Sequence, residues 1–149
     1  MPNSPPTLHL QNYLPYRLSV AANAVSRRIA RAYEDRFGLT IAQWRLLAVL
    51  ADEGPLTQQS LCGRTIMDKV TVMRAARELV RRRLLRRLPN PADGRSHRLV
   101  LSRNGRHIYR QIVPLALEHQ ARLLDGISSR DRDRLEGLLR QLEHTAAHN

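Results

Sequence analysis

Along the first third of the chain, apolar residues recur every three or four positions. Leu14, Leu18, Ala22, Val25, Ile29 and Tyr33 keep that spacing, which predicts one long amphipathic helix from about Pro15 to Arg36, with Gly38 placed to stop it. Residues 1–12, rich in Pro, Ser and Asn, read as a flexible arm. Thr40-Ile41-Ala42-Gln43 has the form of a capping box. The helix it opens carries Ile41, Trp44, Leu47 and Leu50 on its apolar side and ends near Gly54-Pro55.

Beyond that point the elements shorten. Thr57 suits the N-cap of a helix reaching about Arg64, Gly63 to Met67 form a turn, and Asp68 suits the N-cap of a helix running to about Arg82. Leu84–Leu88 and Arg98–Leu101 read as short strands, and PNPADGRSH between them is dense in turn formers, giving a hairpin with a long mobile tip. Ser102 can cap a second long helix with the stripe Ile108, Ile112, Leu115, His119, Leu123 and Ile127. Pro114 lies within it and predicts a kink. Ser128 to Asp131 resembles a second capping box, ahead of a last helix bearing Leu135, Leu138, Leu139 and Leu142. No internal repeat or low-complexity tract interrupts this order.

The pattern is mainly α with a small β-hairpin wing: a winged helix-turn-helix between long N- and C-terminal helices. It divides the chain into a lobe at 39–102 and a helical region made of 13–38 and 103–149. Three helices carry apolar stripes outside the lobe, more than one compact winged helix can cover. The helical region is therefore expected to pair two copies of the chain, with an intramolecular bundle as the alternative.

Charge sharpens the picture. From Arg64 to Arg110 there are 14 basic side chains against Asp68, Glu78 and Asp93, a local net of +11. The whole 149-residue chain carries +12, so the remainder sums to +1. A field this concentrated attracts a polyanion. Of the 25 basic residues only Lys69 is lysine, and arginine is the better bidentate partner of phosphates and guanine edges. At 100° per residue, the helix after Asp68 turns Val72, Ala76, Leu79 and Val80 to one side. Val70, Arg74, Arg77 and Arg81 fall opposite, with Thr71 and Met73 on the flanks. That outward face suits a major groove: Arg74 for base edges or phosphates, Thr71 as a donor, Val70 or Met73 against a thymine methyl. At the hairpin tip Arg95 suits a narrow minor groove, with Asp93 spaced to pair with its guanidinium.

Other chemistry is thinly represented. The one cysteine, Cys62, permits no intramolecular disulfide and fits a reducing cytoplasm. No stretch approaches the roughly 18–20 apolar residues of a membrane span, and MPNSPPTLHL lacks the features of a signal peptide. His144 and His148 lie four apart beside Glu143 in a fraying tail, where two ligands do not make a metal site, and no nucleophile motif or Gly-rich phosphate loop occurs. Neither an enzyme, a metal site nor a cofactor is expected.

The segments LTIAQWRLLAVL, GPLTQQSLCGRTIMDKVTVMRAARELVRRRLLRR and NPADGRSHRLVLSRNG resemble, in order and spacing, the MarR family of bacterial transcription regulators. The likeness spans roughly residues 15–146 and includes the DxR wing signature at Asp93, Gly94 and Arg95. It implies a homodimer that presents two winged helices to a pseudo-palindromic site in double-stranded DNA, most often as a repressor. It also implies a small-molecule or redox signal. By position, Lys69, Val70, Thr71, Met73 and Arg74 match the groove-reading stretch, with Arg77 beside it, and Arg95 matches the minor-groove arginine braced by Asp93. A small aromatic or anionic effector would lie among Tyr13, Tyr16, Arg17, Trp44, His107 and Tyr109. Two departures stand out. Arg83 occupies a place where the family commonly has Gly, so the turn differs or a phosphate contact offsets the strain. Cys62 lies outside the amino-terminal helix that carries the family's reactive thiols, and reads as a small buried residue. A non-specific architectural DNA-binding protein is the main rival; a ligand carrier that contacts RNA is another.

Overall fold

The computed structural model describes residues 4–148. A single 3-10 turn at Leu10–Asn12 leads into helix α1, Leu14–Ala30, with Pro15 in its first turn. The long first helix expected from the apolar stripe is broken. α1 stops at Ala30, residues 31–33 turn, and a four-residue helix α2, Glu34–Phe37, ends at Gly38 in left-handed backbone (φ 61°). Burial supplies the reason. Ala30, Ala32 and Tyr33 are all in the core, yet on a continuous helix Ala32 would point almost opposite Ala30. Only a break lets all three face inward.

Helix α3, Ile41–Glu53, opens with the capping box: Gln43 N donates to Thr40 Oγ1 and Thr40 N donates to Gln43 Oε1, each at 3.1 Å. Its buried face is Gln43, Leu46, Leu47 and Leu50, while Ile41 and Trp44 are only half-buried. Strand β1, Leu56–Thr57, has no counterpart in the periodicity, because two residues carry no period and it exists only by pairing with a later strand. Thr57 also caps helix α4, Gln58–Thr65, accepting from Ser60 N at 3.1 Å. The turn is tighter than expected: α4 runs to Thr65, and Ile66 closes it at φ 55°. Helix α5 follows, Lys69–Arg81.

The end of α5 is a Schellman motif. Leu84 N donates to Leu79 O and Arg83 N to Val80 O, both at 2.9 Å, around Arg83 at φ 59°. The turn therefore keeps the shape glycine favours, and Arg83 adopts it at a cost of about 1–2 kcal/mol. Strands β2, Leu85–Pro89, and β3, His97–Leu101, form the hairpin, and the antiparallel sheet runs β1-β3-β2 with Leu56↔Leu99 and Arg87↔Leu99 in register. The core joins Leu46, Leu47, Leu61, Val72, Leu79 and Leu99.

Helix α6, Arg103–Leu123, starts hard against the recognition-helix corner. Ser102 Oγ accepts from Gly105 N at 3.0 Å and donates to Arg83 O at 2.6 Å, and Ser102 N donates to Leu84 O at 3.0 Å. A Cβ on Gly105 would fall inside van der Waals contact with the Leu84 carbonyl. α6 continues without interruption through Pro114. The first compact unit extends to His119; among the described residues α1 joins the core only through Ile29 and Ala30 at its end, and α6 through Ile108, Ile112, Leu115 and Ala116. The second unit, from Gln120, holds helix α7, Ser129–His148, whose amino end is capped by Ser128 Oγ on Asp131 N at 3.1 Å. Arg132 donates to Leu124 O at 2.8 Å and Ile127 O at 2.9 Å. Leu135, Leu138, Leu139 and Leu142 are all exposed. Among the described residues, no helix is long and apolar enough to cross a membrane.

Candidate nucleic-acid interface

Helix α5 has two distinct sides. Val72, Ala75, Ala76 and Leu79 are buried, whereas Lys69, Val70, Arg74 and Arg77 are exposed and Thr71 and Met73 half-buried. The amino end is fixed by Asp68, whose Oδ1 accepts from Thr71 N and whose Oδ2 accepts from Thr71 Oγ1, both at 2.8 Å. Those bonds, the backbone one foremost, hold the Asp68 carboxyl below its usual range. They also alter the expected role of Thr71: its one hydroxyl proton is already given to Asp68, leaving the hydroxyl as an acceptor. Farther along, Arg81 is clamped by Glu78 through two hydrogen bonds, which lowers the Glu78 pKa. Arg74 and Arg77 form no ion pair among the described residues.

The wing tip is tied down more closely than a mobile loop would be. Asn90 Nδ2 donates to Ser96 Oγ at 2.7 Å, Ala92 N to Asn90 Oδ1 at 3.2 Å, and Ser96 N to Asp93 O at 3.2 Å. Asp93 does not pair with the Arg95 guanidinium as its spacing suggested. Its Oδ1 accepts from the Arg95 backbone N–H at 2.9 Å. That Asx-type turn shapes the tip and leaves the Arg95 side chain exposed.

Between the wing and the amino ends of α4 and α5 lies a concavity of about 570 Å³. Lys69, Arg87, Arg95 and His97 line it together with Gln58 and Asn90, and Asp93 is its one acidic wall residue. The concavity gathers Lys69, Asp93 and Arg95, while Arg74 and Arg77 lie on the exposed side of α5. Arg87, Gln58 and Gln59 are lining residues that sequence reasoning missed. β2 carries no period-two alternation that would have signalled Arg87, whose place in the lining follows from its pairing with Leu99.

The expected effector residues are dispersed. Tyr13, Tyr16 and Arg17 lie exposed on or just before the first turns of α1. His107 pairs with Gln111 at 2.6 Å along α6. Trp44 and Tyr109 do meet, stacked with ring centroids 5.6 Å apart, and Tyr33 also stacks on Trp44 at 5.3 Å. Burial, helped by the charge of Glu34, pushes the Tyr33 hydroxyl up to about 12. Two adjoining hollows run along α1 and α3. One is walled by Ile29, Tyr33, Ile41 and Trp44, the other by Asn23 and Arg27, and Ser26, Ile41 and Arg45 belong to both. Cys62 is half-buried against the core, with part of its surface in a concavity beside Met67 and Asp68.

Residues 37–96, from the end of α2 to the wing tip, match the MarR family model. An uncharacterised protein of Mycobacterium tuberculosis is 34% identical over 101 residues, 68% of this chain and 70% of that protein. The HTH-type transcriptional repressor NicR of Pseudomonas putida is 27% identical over 104 residues, 70% of this chain and 66% of NicR. Among solved structures, that of Bordetella bronchiseptica BpsR, whose DNA binding is regulated by 6-hydroxynicotinic acid, superposes with a TM-score of 0.81 at 25% identity, over 93% of this chain and 98% of that one. A helix-turn-helix with a wing, a cationic groove between them and these relatives agree: the chain belongs to the MarR family of transcription regulators.

Proposed function

We propose that the protein is a homodimeric, cytoplasmic repressor that reads a pseudo-palindromic operator and is released from it by a small aromatic anion. The observation that carries this reading is the cationic concavity between the wing and the amino end of α5, a helix whose Arg74 and Arg77 are also exposed. In it, α5 enters the major groove with Lys69, Val70, Thr71, Met73, Arg74 and Arg77 as contacts. Arg95 enters the minor groove, and Asp93 shapes the loop that carries it. Arg87 and Lys69 face the phosphates between the two grooves. The exposed leucines of α1 and α7 favour pairing of two chains. The paired recognition helices must then lie about 34 Å apart to meet successive major grooves. A ligand seated beside Ser26 and Arg45 would offer its ring to the apolar wall of Ile29 and Ile41 and its carboxylate to the guanidinium, and a change there would alter that separation. The relation to BpsR and NicR supports the effector class and the repressor role.

Footprinting on the DNA flanking its own gene, followed by competition at fixed salt, tests the reading. A regulator prefers its operator by at least ~10³ over random duplex; a ratio near one makes it an architectural protein, and preference for RNA makes it neither. Arg74→Ala and Arg95→Ala should each weaken operator binding by roughly 1–3 kcal/mol with unchanged melting temperature. Full affinity in both variants would remove those roles.

A further inference from the structure

Ile66 is out of keeping with its place in the turn between α4 and α5. Its backbone is left-handed, φ 55° and ψ 41°, a conformation that crowds a β-branched side chain and that glycine or asparagine adopts readily. Burial does not compensate. The side chain is 86% exposed, the most of any large apolar residue among those described. Neither backbone preference nor packing accounts for an isoleucine here, and strain of this kind gathers where a chain meets its ligand.

Its surroundings define that ligand. Val70, in the first turn of α5, is a second exposed apolar side chain. Lys69 and Arg74 are exposed on the same helix, and both oxygens of the nearest carboxylate, Asp68, are already held by Thr71. An apolar tip among cations complements a surface that is anionic at its rim and apolar within. The major-groove edge of an A·T pair has that character, because the thymine 5-methyl is the one apolar group displayed there.

We infer that Ile66 is a specificity-determining residue that packs against a thymine methyl at the edge of each operator half-site, beside Val70. The inference rests on the operator-binding reading above. It assigns to the turn a part in base recognition, so that selectivity extends beyond the recognition helix itself.

Replacing single thymines of the footprinted operator with deoxyuridine removes the methyl and leaves every hydrogen-bonding group in place. Fluorescence anisotropy with the full-length protein should show one position per half-site at which the replacement weakens binding about fourfold, the factor expected for one buried methyl group. Ile66→Gly, which relieves the backbone, should melt no lower than the parent, bind the operator more weakly and ignore deoxyuridine at that position. Ile66→Val should keep the sensitivity. Indifference of the parent protein at every thymine, or an unchanged deoxyuridine penalty in Ile66→Gly, overturns the inference while leaving the operator reading intact. Absence of any preference for the operator over random duplex overturns both.

Discussion

Replacing Arg83 with glycine should make the protein more stable, although it removes a side chain and adds none. Arg83 sits at φ 59°, where a residue with a Cβ carries about 1–2 kcal/mol of strain. Among the described residues Arg83 bonds here through its backbone: its N–H to Val80 O at 2.9 Å, and its carbonyl to Ser102 Oγ at 2.6 Å. Glycine keeps both. Against the gain stands the freedom glycine adds to the unfolded chain, about 0.5–1 kcal/mol. The central values leave a stabilisation of about 0.75 kcal/mol per subunit, within a range of about 0–1.5, or roughly 1.5–3 °C in melting temperature for a chain of this size. Removing one arginine from so basic a region also relieves repulsion, so Arg83→Ala is the necessary companion. It loses the same charge but keeps the Cβ. Thermal and urea unfolding at fixed subunit concentration and moderate salt would compare the three proteins. Arg83→Gly should exceed Arg83→Ala by the conformational difference. If the two melt together, or if the glycine variant is the weaker, left-handed strain at Arg83 is not what the geometry implies.

Other consequences are as direct. Gly105→Ala should destabilise by more than about 2 kcal/mol, an overpacking cost, because its Cβ meets a backbone carbonyl that cannot rotate away; normal expression and melting would count against the close approach. Tyr33 titrates at about 12 instead of 10.0, and a raised folded-state pKa contributes stability that is complete below the unfolded value and fades as pH climbs toward the folded one. The parent should therefore lose stability between pH 10 and 12 relative to Tyr33→Phe, and parallel alkaline melting curves would remove the burial argument. Deleting residues 128–149 should yield a monomer or an aggregate in sedimentation; a well-folded dimer would show that α7 is dispensable for pairing.

What could be read from the sequence was local. Thr40 with Gln43, Thr57, Asp68 and Ser102 announce helix starts because each cap is made within three residues, and all four are capped as expected. The two-faced character of α5 follows from angular spacing alone. What escaped depends on partners remote in sequence. α1 breaks so that Ala32 joins Ala30 and Tyr33 in the core; β1 exists because Leu56 finds Leu99. Asp93 bonds to Arg95 through the backbone and not through the expected guanidinium, because spacing cannot tell the two apart. Ile66 illustrates the reverse difficulty. Its chemistry is visible in the sequence, and its exposure and left-handed backbone are not.

Arg82 reaches back across 44 and 45 residues to donate to Gly38 O at 3.0 Å and Phe37 O at 2.8 Å. The guanidinium is a rivet between the far end of the recognition helix and the short segment that follows α1. Under the proposed function, a displacement begun where Tyr33 stacks on Trp44 would have little slack in which to dissipate before it reached α5. Lysine, with a single point of attachment, is no substitute for this planar, two-pronged side chain, and under the proposed function the link between α5 and residues 37–38 that Arg82 makes is one on which coupling to an effector would depend.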